Sequence, residues 1–304
     1  MRAVVVGADG FVGRWLVRHL HEQGDEVAAV VGGRYRPPLD GAETVVQADV
    51  RDYEPLARAI SEARPQALYF LAAVSSPDGR EEITDATRIG LVGAIHALTA
   101  CAGLESPVRM LHVSSSHVYA ESGRPLLTES DPVGPMSMYG AAKAASERAL
   151  LTLAPIADVD VVVARPFNHT GPGQATSFLV PSMLAEVQAI PRGGRGVVRI
   201  GMPTMVRDLT DVRDVVRAYR LLITHGVAGE IYNVASGTGI LARDLVAMMA
   251  EVAGVEVELS VDSALARGGE PRAIVGAVEK IAALGWQPEI SLRRTLADML
   301  KSGR

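Results

Sequence analysis

Ala3-Val-Val-Val-Gly7-Ala-Asp-Gly10-Phe11-Val12-Gly13 is the stretch whose reading decides the fold. Ala3 to Gly7 is a short unbroken apolar run, the look of a strand buried on both faces. It passes directly into three spaced glycines, and Arg14 to Gln23 then carries apolar residues at helical spacing, at Trp15, Leu16, Val17 and Leu20. Strand, glycine turn and helix in this order make a pyrophosphate cradle. Glycines let backbone approach the phosphates, and a helix N-terminus supplies N–H groups and a favourable dipole. Gly7, Gly10, Phe11, Val12 and Gly13 are the expected cofactor contacts.

Downstream, strands alternate with helices, which predicts a parallel, doubly wound α/β sheet with ligands at its carboxyl edge. Glu26 to Val31 reads as the second strand and ends in Gly32-Gly-Arg34-Tyr-Arg36. A carboxylate here would hold a ribose 2′-hydroxyl, and none is present. Arginine suits a 2′-phosphate, so Arg34 tilts the cofactor towards NADP(H), with NAD(H) as the alternative. Val45 to Val50 is a further strand, its Asp49 and Val50 placed to meet an adenine edge. Gln66 to Ala73 is another, whose Leu71, Ala72 and Ala73 pass under the cofactor. A long helix is expected from Glu81 to Ala102, then a strand from Val108 to Val113 leading into Ser114-Ser115-Ser116-His117-Val118-Tyr119.

The second informative stretch is Met136 to Glu147, small and alanine-rich, which reads as a helix. Tyr139 and Lys143 stand four apart and so share a helical face. An ammonium within a few ångströms favours phenolate and lowers the pKa of a tyrosine, making it a usable acid or base near neutrality.

Bulk properties exclude several other classes. With 304 residues there is room for one large domain and a smaller lobe. A net charge of −5 argues against a nucleic-acid or polyanion binder. The single Cys101 excludes an internal disulfide and any cysteine metal cluster. No histidine has a ligand spacing such as H-E-x-x-H, so no metal is expected; His117 and His169 alone flank the cleft. No apolar run approaches about 20 residues and no leader peptide is visible, so no membrane association and a cytoplasmic location are expected.

The glycine turn, the serine cluster at a strand end and the Tyr139/Lys143 pair together resemble the extended short-chain dehydrogenase/reductase (NAD-dependent epimerase/dehydratase) family, over nearly the whole chain. The resemblance implies a Rossmann domain, Tyr139 as acid/base, Lys143 on the nicotinamide ribose, and Ser115 on the substrate oxygen. One departure is visible: where the family has Asn in an Asn-Val-x-Gly-Thr helix turn, this chain has Gly90.

The carboxyl-terminal half begins with a strand from Asp158 to Ala164, then Arg165-Pro-Phe-Asn168-His-Thr-Gly-Pro-Gly173, a loop leaving the core. Thr210 or Asp211 is expected to cap a helix, with Arg207 just outside it. The blocks RPFNHTGPGQ and RDLTDVRDVVRAY resemble the part of the family acting on sugars of GDP-mannose origin. That resemblance places Asn168 and Arg207 on the substrate diphosphate, and Arg267 with Glu270 on the nucleotide. Ser116 and His117 join them as expected substrate contacts. It further implies a Rossmann domain over 1–166, rejoined by 207–235, and a nucleotide-sugar lobe over 167–206 and 236–304. A homodimer through the Glu81–Ala102 and Tyr139-bearing helices is usual in the family.

The implied activity is reduction of a nucleotide-linked 4-keto-6-deoxy sugar, the GDP-linked one above all. A 4,6-dehydratase needs a second acid/base pair, and the carboxylate that family dehydratases place two residues after the catalytic serine is here His117. A 4-epimerase with tightly bound NAD shares the Ser/Tyr/Lys set and remains the alternative. A non-catalytic cofactor sensor would have no use for that set.

Overall fold

The computed structural model describes residues 1–32, 38–74, 83–121, 123–124, 126–265 and 273–302. The chain alternates strand and helix from the start: β1 (Arg2–Val6), α1 (Phe11–Glu22), β2 (Glu26–Val31), β3 (Thr44–Gln47), α2 (Tyr53–Ala63) and β4 (Ala67–Phe70). There follow α3 (Ile83–Thr87), α4 (Gly93–Ala102), β5 (Arg109–Val113), α5 (Met138–Ala157) and β6 (Asp160–Pro166). The remainder comprises β7 (Asn168–Thr170), α6 (Leu179–Gln188), β8 (Arg195–Ile200), β9 (Val206–Asp211), α7 (Val212–His225), β10 (Ile231–Val234) and β11 (Gly239–Leu241). It closes with α8 (Ala242–Ala253), β12 (Glu256–Val261), β13 (Ala273–Ile274), α9 (Glu279–Ala282) and α10 (Leu292–Ser302).

Seven parallel strands form the main sheet in the order β3-β2-β1-β4-β5-β6-β10. The order reverses between β1 and β4, and their carboxyl ends are where a doubly wound sheet binds its ligand. Every residue of β4 is buried, as expected of a strand covered by helices on both faces. One apolar layer packs Leu16, Val17 and Leu20 of α1 with Val215, Tyr219 and Leu222 of α7 beneath the sheet. The opposite layer packs Leu56 and Ile60 of α2, Ala97 and Leu98 of α4 and Leu150 of α5 above it.

A smaller sheet pairs β9 with β11, β13 and β7, and β8 pairs separately with β12. Their core is built from Leu184, Val198, Leu209, Leu245, Met249 and Leu296. Because Asn168 lies opposite Leu209, β7 ties the loop that follows β6 to β9.

Two local features refine the expected elements. The helix expected over 81–102 runs unbroken through its described residues, 83–102, but widens to a π-helical turn at Arg88–Val92 between α3 and α4, where the Gly93 N–H reaches back to the Arg88 carbonyl. At Gly93 a Cβ would stand 2.8 Å from Val50 Cγ2, so α4 runs in close contact with Val50, three residues beyond β3. Arg207 lies outside the next helix, as expected, and belongs to strand β9, opposite Ile240. That helix starts at Val212, and of the two expected caps it is Asp211 whose carboxylate accepts from the Arg213 N–H.

Candidate active site

The cradle forms as its residue types require. Gly7 has φ +85°, and a Cβ there would lie 2.9 Å from Ala72 N. A Cβ on Gly13 would fall 2.3 Å from Gly7 O, so only glycine lets α1 pack this closely. No side chain caps the N-terminus of α1 and no acidic residue occupies its first turn, which leaves its N–H groups and positive dipole end for an anion. Leu71, Ala72 and Ala73 follow β4 beside this loop, half-buried. A dinucleotide pyrophosphate therefore fits the residues present. On the adenine side, Val50 is buried, while the Asp49 carboxylate accepts from the Arg51 backbone N–H at 2.9 Å and from its guanidinium at 2.6 Å. That guanidinium holds the Asp49 carboxyl below its ordinary range. Arg34 lies outside the described residues.

The other half of the site is built by α5 against the end of β5. Ser137 caps α5 by accepting from the Gly140 N–H at 3.1 Å. Gly140 is required here, because a Cβ would meet His117 O at 2.3 Å. This close approach brings Tyr139 next to the short turn Ser116–Val118, and the His117 ring stands edge-on to the Tyr139 ring with centroids 6.0 Å apart. Ser115 is buried and its hydroxyl accepts from the His117 N–H. Lys143 is buried, its ammonium 6.0 Å from the Tyr139 ring centroid and donating to Val113 O at 2.6 Å. Burial pushes its pKa down to about 8. Ser115, Ser116, His117, Tyr139 and Lys143 thus converge on one sheet edge. The Ser116 hydroxyl is buried with no hydrogen-bond partner among the described residues.

Beneath them lies a polar network that the sequence reading missed. Glu147 continues the Tyr139, Lys143 row by one more turn and is buried. It accepts from the Ser114 hydroxyl at 2.8 Å and from Nε of the buried Arg165 at 3.1 Å, with a second bond from Arg165 Nη2. The Arg165 guanidinium also stacks over the Tyr119 ring at 4.7 Å, and the Tyr119 hydroxyl donates to Asn233 at 2.6 Å. Fully buried His112 stands opposite Ser146, whose hydroxyl donates to Lys143 O, so the ring N–H is on Nε2 and Nδ1 is a bare lone pair. The only sequence signal for this layer was the i, i+4 spacing of Glu147 from Lys143.

Asn168 begins β7, and its side-chain oxygen is buried without a hydrogen-bond partner among the described residues. Arg207 is buried on β9, one guanidinium nitrogen donating to Val206 O at 2.9 Å. The neighbouring Asp208 is turned to other donors: it accepts from Ser236, Gly237 and Gly276 N–H groups and the Ser236 hydroxyl. The two blocks are joined to the cofactor helix. The His169 ring stacks on the Phe11 ring, 4° from parallel with centroids 6.4 Å apart, and Trp15 Nε1 donates to Pro172 O at 3.1 Å. Arg267 and Glu270 lie outside the described residues. Among the described residues no group of His, Cys, Asp and Glu is arranged to hold a metal.

Comparison with known proteins agrees with this geometry. GDP-6-deoxy-D-mannose reductase of Pseudomonas aeruginosa is 30% identical over 98% of this chain and 96% of its own length. The structure of RMD from Pseudomonas aeruginosa complexed with NADPH superposes with a TM-score of 0.81, at 30% identity, over 99% of this chain and 96% of that one. UDP-glucose 4-epimerase of Thermus thermophilus in complex with NAD gives a TM-score of 0.84, at 27% identity, over 99% of this chain and 98% of that one. Residues 3–235, from within β1 to just past β10, match the NAD dependent epimerase/dehydratase family, and the chain belongs to it.

Proposed function

We propose that the chain is an NAD(P)H-dependent 4-ketoreductase of a nucleotide-activated 4-keto-6-deoxy sugar, the GDP-linked sugar in particular. The observation that supports this most is the convergence of Ser115, Tyr139 and buried Lys143 at the end of β5. The glycine cradle and the α1 N-terminus would hold the cofactor, and Asn168 and Arg207 the substrate diphosphate, with a guanidinium pairing bidentately. When bound, the reduced nicotinamide supplies a hydride for C4 of the sugar. Ser115 holds the carbonyl oxygen and Tyr139 gives it a proton as C4 is reduced, so that ketone becomes alcohol. The Lys143 ammonium stabilises the phenolate left on Tyr139 until solvent returns the proton. His117 occupies the place where a dehydratase needs a carboxylate, which supports reduction over elimination.

NADP(H) is the proposed cofactor, on the strength of Arg34 and the missing carboxylate after β2. A homodimer is proposed through α4 and α5. Among the described residues no helix is long and apolar enough to cross a membrane.

The test is stoichiometric. NADPH should be oxidised with GDP-4-keto-6-deoxymannose and not with GDP-mannose, which has no keto group to accept hydride. NADH should be the poorer donor. Cofactor that stays bound and is never released oxidised would instead identify a 4-epimerase. Turnover of a UDP- or dTDP-ketosugar alone would overturn the base and leave the Tyr139 chemistry standing.

A further inference from the structure

The first turn of α1 presents two things at once: backbone N–H groups towards the anion site, and the Phe11 and Trp15 side chains, four apart on one face, towards the segment Asn168–Gly173. Both side chains make specific contacts there. Phe11 stacks on His169 almost in parallel, and the Trp15 indole N–H donates to Pro172 O. His169 is also tied to its own loop and to β9. Its Nδ1 bonds to Phe167 O at 2.9 Å, its carbonyl accepts from Gln174 Nε2 at 3.1 Å, and its backbone lies opposite Thr210 on β9. Next to it stands Asn168 with its orphaned buried oxygen, and three residues before Thr210 on β9 stands Arg207.

We propose that His169 and Trp15 are positioning residues that join the dinucleotide loop to the substrate loop, so that binding of the cofactor and of a nucleoside diphosphate reinforce each other. The inference rests on the nucleotide-sugar reading. An anion that orders the first turn of α1 also fixes the Phe11 ring, and that ring sets the seat of His169 and the place of Asn168. A ligand bonded to Asn168 and Arg207 fixes the same stack from the other side. Contacts made better with both ligands present tie the two affinities together, and by the same factor in each direction.

Isothermal titration calorimetry of NADPH into the full chain, without and then with saturating GDP, UDP or dTDP, measures that factor. The wild type should bind NADPH about fivefold more tightly with whichever nucleotide binds. His169→Leu, which loses the ring, and Trp15→Phe, which loses the donor but keeps an aromatic ring, should each reduce that factor by about two- to fivefold, towards one, the worth of one aromatic contact or one hydrogen bond. NADPH affinity in the absence of nucleotide should stay within about twofold, whereas a merely structural defect would weaken it as well. Trp15→Phe keeps the test decisive if His169→Leu fails to fold. A factor of one in the wild type, or an unchanged factor in the variants, overturns the proposal. If none of the three nucleotides binds, the nucleotide-sugar reading itself falls, and this coupling with it; binding without coupling refutes only the coupling.

Discussion

Lys143 is the residue on which opposite demands meet. The proposed reduction needs its ammonium beside Tyr139, yet burial favours the neutral amine and brings its pKa from 10.5 to about 8. Stability and activity should therefore diverge with pH. Between about 8 and 10.5 the unfolded chain holds a proton on this lysine that the folded chain has released, so the folded state gains stability as pH rises. That gain, of order 3 kcal/mol at most, should be visible as a difference between wild type and Lys143→Met in urea melts across this range. kcat/KM for ketone reduction should fall over the same range, and a profile flat to pH 10 would show that the charge is not needed. Tyr139→Phe should bind cofactor normally and lose on the order of a hundredfold in kcat, measured in single turnover. That these two side chains stand side by side was legible from a four-residue spacing. The Glu147–Arg165 pair was not, because its partners are brought together only when α5 docks against β6.

At the scale of elements, six of the seven strands of the large sheet were legible from apolar runs, β10 was not, and β2 has the expected bounds. The widened turn before α4 was not legible. A sequence that is helical by composition says nothing about which turn will widen. Gly90, inside this turn, and Gly93, just after it, should respond in opposite ways. At Gly90 a Cβ would have its nearest neighbour at 3.8 Å, in ordinary contact with Ala142. Gly90→Ala should therefore raise stability by about 0.4–1 kcal/mol through the unfolded chain's lost freedom. Gly93→Ala drives a methyl into Val50 and should cost about 1–3 kcal/mol, with both values read from chemical denaturation. Arg207 shows the same limit of sequence reading. Its block was recognisable, but its place on a strand depended on β11 and β13 arriving from later in the chain.

For the whole molecule, α5 leaves Ala141, Ala145, Arg148 and Thr152 facing outward, with Ile156 near its end at 79% exposure. Small residues let a second helix approach closely, which suits the proposed α4/α5 dimer. Light scattering at micromolar concentration should give twice the chain mass, and Ala145→Arg should shift it towards one. A wild-type monomer would refute the dimer.

Trp15 has a practical consequence. It is one of only two tryptophans in the chain, the other being Trp286, which is buried at 3% exposure and donates to Asp214 O. The molecule therefore already contains its own optical reporter, placed at the seam where the cofactor helix meets the substrate loop. Emission from Trp15 overlaps the absorption of a reduced nicotinamide, so quenching and energy transfer can follow arrival at the cradle in real time without a dye. Buried Cys101 leaves the described surface blank to thiol reagents, and a second label could be added at any chosen site without competition.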